Sequence, residues 1–554
     1  MAAADAAAPR ERLRSVLRDA LPDESGVDRP SIARLTCLLE GRARFETIVG
    51  DPPAGTLAPL PAPFDGLDLT AAVHDSLEDL RGTFSQPDAN SIGAEYATTL
   101  EADDREAHGQ YVTPRPVAAG LVRWALAGTE SSAAPPRVLD PAVGTGTFLH
   151  VAAGALAAKG GNPGPEALLD RLIGVDVDPI ALQLAGLRLA ATAGCRAPDT
   201  LFLNETSFFD CVPSDGARDP AAVPLPTVDA VVGNPPFLRA EALEPATEHY
   251  RRHLRAFGPN GETPWADGEA ALSRRSDAYV YFVTQATRFL RPGGRLAMVL
   301  PTKWLMSAYG EDFRRFLRTH YRVQAVVGFD GRVFDDVLVD TALLFAERAS
   351  DADASTPMRF VRLEGPLTAE RIQDAGAGGP AGPGSVSRPQ RSLTAAGSLA
   401  RHLEAPAELL DLLDRPMFVR LDTLGEVARG TMTGANRFFF VDQSAVDRFG
   451  IEDRFRCPAV KSLRSVDRPT VGPADVSQWL VAVHPLVEAV EAQTAAGTEL
   501  EAAVTQELAA GGQWGLLHYV AHAERAGWHE GRTCQSRRVW FDLGPIRAPG
   551  AFMP

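Results

Sequence analysis

The 554-residue sequence predicts a doubly wound α/β sheet with a helical region ahead of it and a smaller α+β domain behind it. Three observations point that way. Between Arg137 and about Arg348, short apolar runs alternate with amphipathic stretches, the mark of strand and helix in turn. Three of those runs end in glycines, carboxylates or an Asn-Pro-Pro turn, so chemistry-bearing residues gather where strands stop. On either side the alternation lapses, into a mostly helical pattern before about residue 105 and a Gly/Pro/Ala tract from Asp374 to Gly384.

The helical N-terminal region, 1–105, is broken by a Pro/Gly-rich stretch from Asp51 to Gly66 and shows nothing catalytic. In the segment 106–350 the expected strands are Arg137–Asp140, Leu172–Val175, Val228–Val232, Arg295–Leu300, Val323–Val327 and Thr341–Phe345. Phe148–Ala158 and Ala278–Leu290 read as helices between them. Residues 351–405 are expected to be a linker, and 406–554 a separate domain. No internal repeat is present.

Composition narrows the function. A mean hydropathy of −0.09 with 45% hydrophobic residues suits packed cores. No run of about 18 apolar residues occurs, and the Ala-rich start meets Arg10, Glu11 and Arg12, so neither a membrane segment nor a signal peptide is expected and the location is cytoplasmic. Cys37, Cys195, Cys211, Cys457 and Cys534 form no CxxC pair, which argues against zinc, any other metal and a disulfide framework. Lysine occurs only at 159, 303 and 461, a skew that a GC-rich coding sequence explains most simply. The formal charge of −16 excludes a general nucleic-acid binder, but a sequence-specific enzyme needs only one locally basic surface.

Leu139-Asp-Pro-Ala-Val-Gly-Thr-Gly-Thr-Phe148 is an apolar strand running into a Gly-rich turn and then a helix. Glycines let backbone approach a ligand, and an acid at the strand end can hold a cationic or hydroxyl group. The spacing is not GxGxxG and no GxxxxGK[ST] occurs, which disfavours dinucleotides and nucleoside triphosphates. Gly174-Val-Asp-Val-Asp-Pro179 is a second strand ending in carboxylates, placed to bind ribose hydroxyls. Val228-Asp-Ala-Val-Val-Gly-Asn-Pro-Pro-Phe237 is a buried strand that ends in a rigid, acceptor-rich corner, because two prolines fix φ and supply carbonyls without N–H groups.

These residues resemble motifs I, II and IV of amino-methyltransferases, whose fourth motif is (Asn/Asp/Ser)-Pro-Pro-(Tyr/Phe). Gly109-Gln-Tyr-Val-Thr-Pro114 is similar to the family's motif X, and the order of motifs is that of the γ class of N6-adenine DNA methyltransferases. Arg291-Pro-Gly-Gly-Arg-Leu-Ala-Met-Val-Leu-Pro301 and Val327–Asp336 resemble later motifs, and Leu424–Phe440 the opening of a target-recognition domain. The resemblance implies a Rossmann-like S-adenosylmethionine-dependent sheet, double-stranded DNA as substrate, and a restriction-modification or phage-defence setting with other subunits as possible partners. Residue by residue it implies Asn234, Pro235, Pro236 and Phe237 as the catalytic turn. Thr113, Asp140, Ala142, Gly144, Gly146 and Asp176 are implied as S-adenosylmethionine contacts, and Phe237 and Phe334 as surfaces for the flipped adenine.

Two departures temper the match. The acid expected to touch the cofactor's adenine falls near Asn204–Phe209, where the sequence reads Thr206 or Ser207. The recognition domain is expected to be partial, since Arg538–Leu543 resembles a mid-domain motif, and 401–554 holds 16 basic against 20 acidic residues. Two other readings stay open: methylation of protein glutamine or RNA, which the same turn can serve, and a noncatalytic DNA-binding subunit of a defence complex. A fused nuclease is not expected, because no lysine precedes Lys159 to complete a Glu-x-Lys core.

Overall fold

The computed structural model describes residues 7–20, 29–50, 59–61, 64, 71–84, 88–94, 96, 113–128, 135–158, 164–195, 202–214, 222–243, 272–331, 340–349, 355–378, 385–394, 398–413, 415–419, 423–425, 430, 432–462, 472, 476, 478–494 and 499–546. The chain divides into two compact units, Met1–Arg415 and Pro416–Pro554.

The first unit opens with helices α1 (Ala7–Ala20), α2 (Arg29–Val49) and α3 (Ala71–Arg81), followed by α4 (Arg115–Ala127). The sheet region then runs β1 (Val138–Asp140), α5 (Thr147–Ala158), α6 (Pro165–Leu169), β2 (Leu172–Asp176), α7 (Pro179–Ala193), β3 (Phe202–Glu205), β4 (Cys211–Pro213), β5 (Val223–Leu225) and β6 (Val228–Gly233). It continues with α8 (Ala278–Phe289), β7 (Leu290–Pro301), α9 (Ala308–His320), β8 (Tyr321–Phe329), β9 (Thr341–Arg348), β10 (Pro357–Leu363), α10 (Ala369–Ala377) and β11 (Ser385–Pro389). All six strands and both helices expected from the sequence are present, longer by a few residues in several cases.

Nine strands form one sheet in the order β11-β10-β8-β9-β7-β6-β1-β2-β3. β3, β2, β1, β6 and β7 are mutually parallel, and β9 enters antiparallel between β7 and β8. The chain moves outward from β1 to β2 and β3, then returns to the other side of β1 with β6. That reversal opens a crevice at the carboxyl ends of β1 and β6, where a doubly wound sheet binds its ligand.

Alternation along the strands sorts side chains to two cores. Ala297 and Val299 face one cluster, which α2, α4, α5 and α7 complete, while Leu296, Met298 and Leu300 face another, which α8 and α9 complete. Both faces are therefore covered, and the central strands read as nearly continuous apolar runs.

The expectation for 351–405 is corrected. β10 pairs in parallel with β8 and antiparallel with β11, so this segment extends the sheet and carries α10 against α4. Its strands escaped notice because Pro357–Leu363 alternates apolar with arginine and β11 is a mostly polar edge strand. Gly379–Gly384, the heart of the expected flexible tract, lies outside the described residues. Short helices α11 (Arg401–Glu404) and α12 (Ala407–Leu413) close the unit.

In the second unit a small antiparallel sheet, β12 (Phe440–Val441), β14 (Gln478–Val481) and β13 (Arg456–Ala459), packs with helices at Gln443–Phe449, His484–Gln493, Leu500–Ala510 and Trp514–Arg525. Phe438 stacks on Tyr519 with ring centroids 4.9 Å apart and meets Trp540 at 4.6 Å. The Arg538–Leu543 segment singled out in the sequence thus supplies core, with Val539, Trp540 and Phe541 buried.

Among the described residues no helix is long and apolar enough to cross a membrane, and no group of three or more His, Cys, Asp or Glu could hold a metal ion.

Candidate active site

The strands around the crevice end in residues held by the neighbouring turns, carboxylates on β1 and β2 and a glycine on β6. β1 ends in Asp140, which is 1% exposed. Its Oδ1 accepts from Ala142 N at 3.1 Å, while Oδ2 is buried with no hydrogen-bond partner among the described residues. Burial, and secondarily the charge of Asp176, pushes the Asp140 carboxyl up to about 8 against the pull of the Ala142 N–H.

β2 ends in Asp176, whose carboxylate has more support. Oδ2 accepts from Gly144 N at 2.7 Å and Oδ1 from Asp178 N at 3.0 Å. Burial raises it only to about 6, because those two N–H groups favour the charged form. Asp178 plays a different part. Its Oδ1 accepts from Ile180 N and Ala181 N, capping α7, and its Oδ2 accepts from the buried Tyr96 hydroxyl at 2.7 Å.

The turn between β1 and α5 needs its glycines for two reasons. Gly144 and Gly146 have φ of +52° and +82°, where L side chains are strained. A Cβ on Gly146 would also meet Ala185 Cβ at 3.0 Å, whereas one on Gly144 would meet nothing within 4 Å, so Gly144 turns toward open space. Arg188, the one charge in the apolar helix α7, donates to Thr145 O at 3.3 Å and Thr147 Oγ1 at 3.2 Å and holds the turn from behind. That lone charge in an apolar helix is the signal by which the sequence could have marked it.

β6 ends in Gly233 and hands the chain to Asn234-Pro235-Pro236-Phe237. A Cβ on Gly233 would lie 2.7 Å from Asp140 Oδ1, so the backbone of β6 passes directly against the carboxylate at the end of β1. This approach brings the first and third sequence motifs together. Asn234 Oδ1 is shielded from solvent, Pro235 is buried, and Phe237 is half-buried against the core.

Past Phe237 the turn is stapled by a residue that the sequence reading missed. Asp277, buried at the start of α8, accepts from Ala240 N at 3.1 Å, from the Tyr309 hydroxyl at 2.7 Å and from Lys303 Nζ at 3.3 Å. Leu238 O accepts from Ala278 N at 2.9 Å beside it. An Asp just before a helix reads as an ordinary cap, yet this one makes no cap hydrogen bond and turns to the loop after Phe237 instead.

Of the other expected site residues, Thr113 is buried just ahead of α4, whose body packs on β6 and β7. Ala142 donates the N–H that Asp140 receives. Thr206 follows β3 and donates its N–H to Asp176 O at 3.0 Å, and Ser207 caps the 3-10 turn at Phe208–Asp210. Glu205, exposed and in register with Asp176, is the acid nearest the expected adenine contact. Phe334 lies outside the described residues.

Comparison with known proteins gives these features a context. Residues 226–334 match the family model "Eco57I restriction-modification methylase", and residues 404–554 match "Type II methyltransferase M.Eco57I, C-terminal domain". The chain is similar to Type II methyltransferase M.XamI of Xanthomonas campestris pv. amaranthicola, 22% identical over 80% of this chain and 71% of that one. It is also similar to Type II methyltransferase M.AccI of Acinetobacter calcoaceticus, at 19% identity over 68% of this chain and 61% of that one. Among solved structures, the Type IIL restriction-modification enzyme MmeI in complex with DNA aligns at 11% identity and a TM-score of 0.48, covering 90% of this chain and 74% of that one.

Proposed function

We propose that the chain, which matches the Eco57I restriction-modification methylase model over 226–334 and the related C-terminal domain model over 404–554, methylates N6 of a flipped adenine in double-stranded DNA, using S-adenosylmethionine. The observation that carries the reading is the contact between Gly233 and Asp140, which sets an intact Asn-Pro-Pro-Phe turn beside a buried acid. The orphaned Asp140 Oδ2 fits a donor or cation on the cofactor, and the space beside Gly144 fits close approach of its backbone. Asp176 would hold the ribose hydroxyls, Thr113, Ala142 and Gly146 would complete the pocket, and Glu205 would reach the adenine ring. S-adenosylmethionine supplies an electrophilic methyl group on a sulfonium.

The chain's own part is to receive, orient and polarise the amine. The Asn234 side-chain oxygen and the Pro235 carbonyl would accept the two N6 protons, which turns the nitrogen lone pair out of the ring and makes it nucleophilic. No strong base is required. Phe237 offers an aromatic face on the target ring, and Phe334 is the candidate for the other. Stacking of this kind offsets part of the few kcal/mol that flipping costs. Positioning of two held reactants accounts for much of the remaining rate gain.

The system served is restriction-modification or phage defence, and the second unit is the target-recognition domain. The deciding experiment is modification-sensitive sequencing of DNA from cells expressing the chain, beside tritiated methyl transfer to duplex DNA, RNA and protein. N6-methyladenine at one recurrent sequence is expected. Label entering RNA or protein but not DNA would overturn the reading.

A further inference from the structure

We propose that Arg239, Arg274, Arg275 and Lys303 form a phosphate-binding rim that grips the DNA backbone beside the catalytic turn. The inference rests on the reading of the chain as a DNA methyltransferase and identifies the surface that meets the polyanion.

The four cations come from three separate stretches of chain, and Asp277 gathers them. Its carboxylate holds Ala240 N, next to Arg239, and Lys303 Nζ, while Arg274 and Arg275 precede it by three and two residues. β6 and β7 are parallel neighbours with Gly233 opposite Met298, so Asn234–Phe237 and Pro301–Lys303 leave the sheet at the same edge. The rim therefore borders the turn that would receive the target base.

Exposure and pairing distinguish these residues from the rest of the basic complement. Arg239, Arg274 and Arg275 are exposed, and none is ion-paired among the described residues. Many other arginines of this unit are committed to carboxylates, as in Arg10 with Glu40, Arg291 with Asp229 and Arg322 with Glu347. Lys303 has a 51% exposed side chain, and its bond to Asp277 leaves two of three ammonium donors for a ligand. The exposed acids on the described stretches beside these residues are Glu241, Glu311 and Asp340, against four cations. In a chain of net charge −16, exposed arginines without ion-pair partners at the edge of the proposed site are where a polyanion binds.

The chemistry assigns different work to the two residue types. Arginine forks can take two oxygens of one phosphate, and a half-exposed lysine fixed by Asp277 is a point charge of set position. Such contacts carry no sequence information. They set the register of the strand against Asn234, leaving base choice to other parts of the chain.

The test is fluorescence anisotropy of the full chain with a labelled 30-bp duplex of randomised sequence across a salt series. Lys303→Gln, Arg239→Gln and the double change Arg274→Gln with Arg275→Gln are compared with wild type. Each lost phosphate contact should lower the slope of log affinity against log salt by about 0.9, and the double change by about twice that. Lys303→Arg should keep the slope, and Arg318→Gln, at the far end of α9, should match wild type. Calorimetric S-adenosylmethionine affinity should be unchanged in every variant, which a merely unfolded protein would not show. Wild-type slopes in the three rim variants, or the same loss in Arg318→Gln, would overturn the rim while leaving the methyltransferase reading in place. A wild-type chain that binds no duplex even at low salt, or prefers duplex RNA, would instead bring down the DNA reading and the rim with it.

Discussion

Replacing Asp140 by Asn should raise the stability of the ligand-free protein at alkaline pH and weaken S-adenosylmethionine binding at the same time. The carboxyl is buried, accepts one backbone N–H and has a second oxygen without a partner, and burial pushes it up to about 8. At pH 7 the folded protein then holds the acid form over the carboxylate by about ten to one. In the unfolded chain this group is ionised at every pH above about 5. A folded pKa raised above the unfolded one means stability that is full below the unfolded value and is lost as pH rises toward the folded value. Asp140 should thus cost the protein stability from about pH 4 up to about pH 8, on the order of 1 kcal/mol per pH unit, and little more above that. Asparagine keeps an oxygen for Ala142 N and cannot ionise, so the loss should vanish. A cofactor donor or cation at Oδ2 favours the carboxylate, so wild-type affinity should climb as pH rises from 6 to 8 and binding at pH 7 should release protons. The cofactor's own α-amine titrates near pH 7.7–8.0, so the informative quantity is wild type minus variant. Chemical denaturation from pH 6 to 9 and calorimetry in two buffers of different ionisation enthalpy measure both effects. Identical pH slopes in Asp140→Asn and wild type would refute the reasoning.

The other expectations concern neighbouring positions. Asp176→Ala should weaken S-adenosylmethionine binding by about 1–3 kcal/mol, since a buried acceptor for hydroxyls is lost, and calorimetry checks it. Asn234→Ala should abolish tritiated methyl transfer while leaving cofactor affinity within about twofold; transfer near the wild-type rate would remove Asn234 from the mechanism. Gly233→Ala should impair both binding and transfer, because its Cβ would stand 2.7 Å from Asp140 Oδ1, and a wild-type cofactor affinity would show that the strands separate freely. Phe334→Ala should lower the 2-aminopurine flipping signal at the target position more than it lowers cofactor affinity, by about 1–3 kcal/mol if the ring stacks on the base.

The sheet was legible because its central strands are buried on both faces and so appear as unbroken apolar runs, as in Arg295–Leu300. The edges were not. β10, one strand in from the β11 edge, sets Arg359 and Arg362 among Phe360, Val361 and Leu363, and a strand interrupted by charge in this way looks like a loop when only hydrophobicity is counted. The same division holds in the site. Gly144, Asp140 and Asn234 could be found because their types are demanded by local turns and strand ends, which lie within a few residues of one another. Asp277 could not, since it acts on a residue more than thirty positions away, through Ala240 N, and Arg188 shows only as a lone charge in an apolar helix, its partner Thr145 O being as distant. Local sequence carries no record of a partner that only the fold brings near. Gly233 is an intermediate case: a glycine closing an apolar strand is visible, but its reason, the Asp140 carboxylate of a strand ninety residues earlier, is not.

The two buried acids of the crevice are unequal, and that inequality has a consequence for catalysis. Asp176 already receives two backbone N–H groups, so its charge is supported before any ligand arrives. Asp140 receives one and faces the Asp176 charge, so its ionised form is supported only when a further donor or cation reaches Oδ2. On the proposed reading, cofactor capture and loss of the Asp140 proton would be one equilibrium rather than two. Gly233 abuts that same carboxylate and stands one residue before Asn234, so on the proposed reading any shift of Asp140 toward a ligand would meet first the backbone that presents the Asn234 amide. The buried, under-supported acid is costly to the empty protein. On the proposed reading, its position would tie the Asn-Pro-Pro-Phe turn to the presence of the methyl donor.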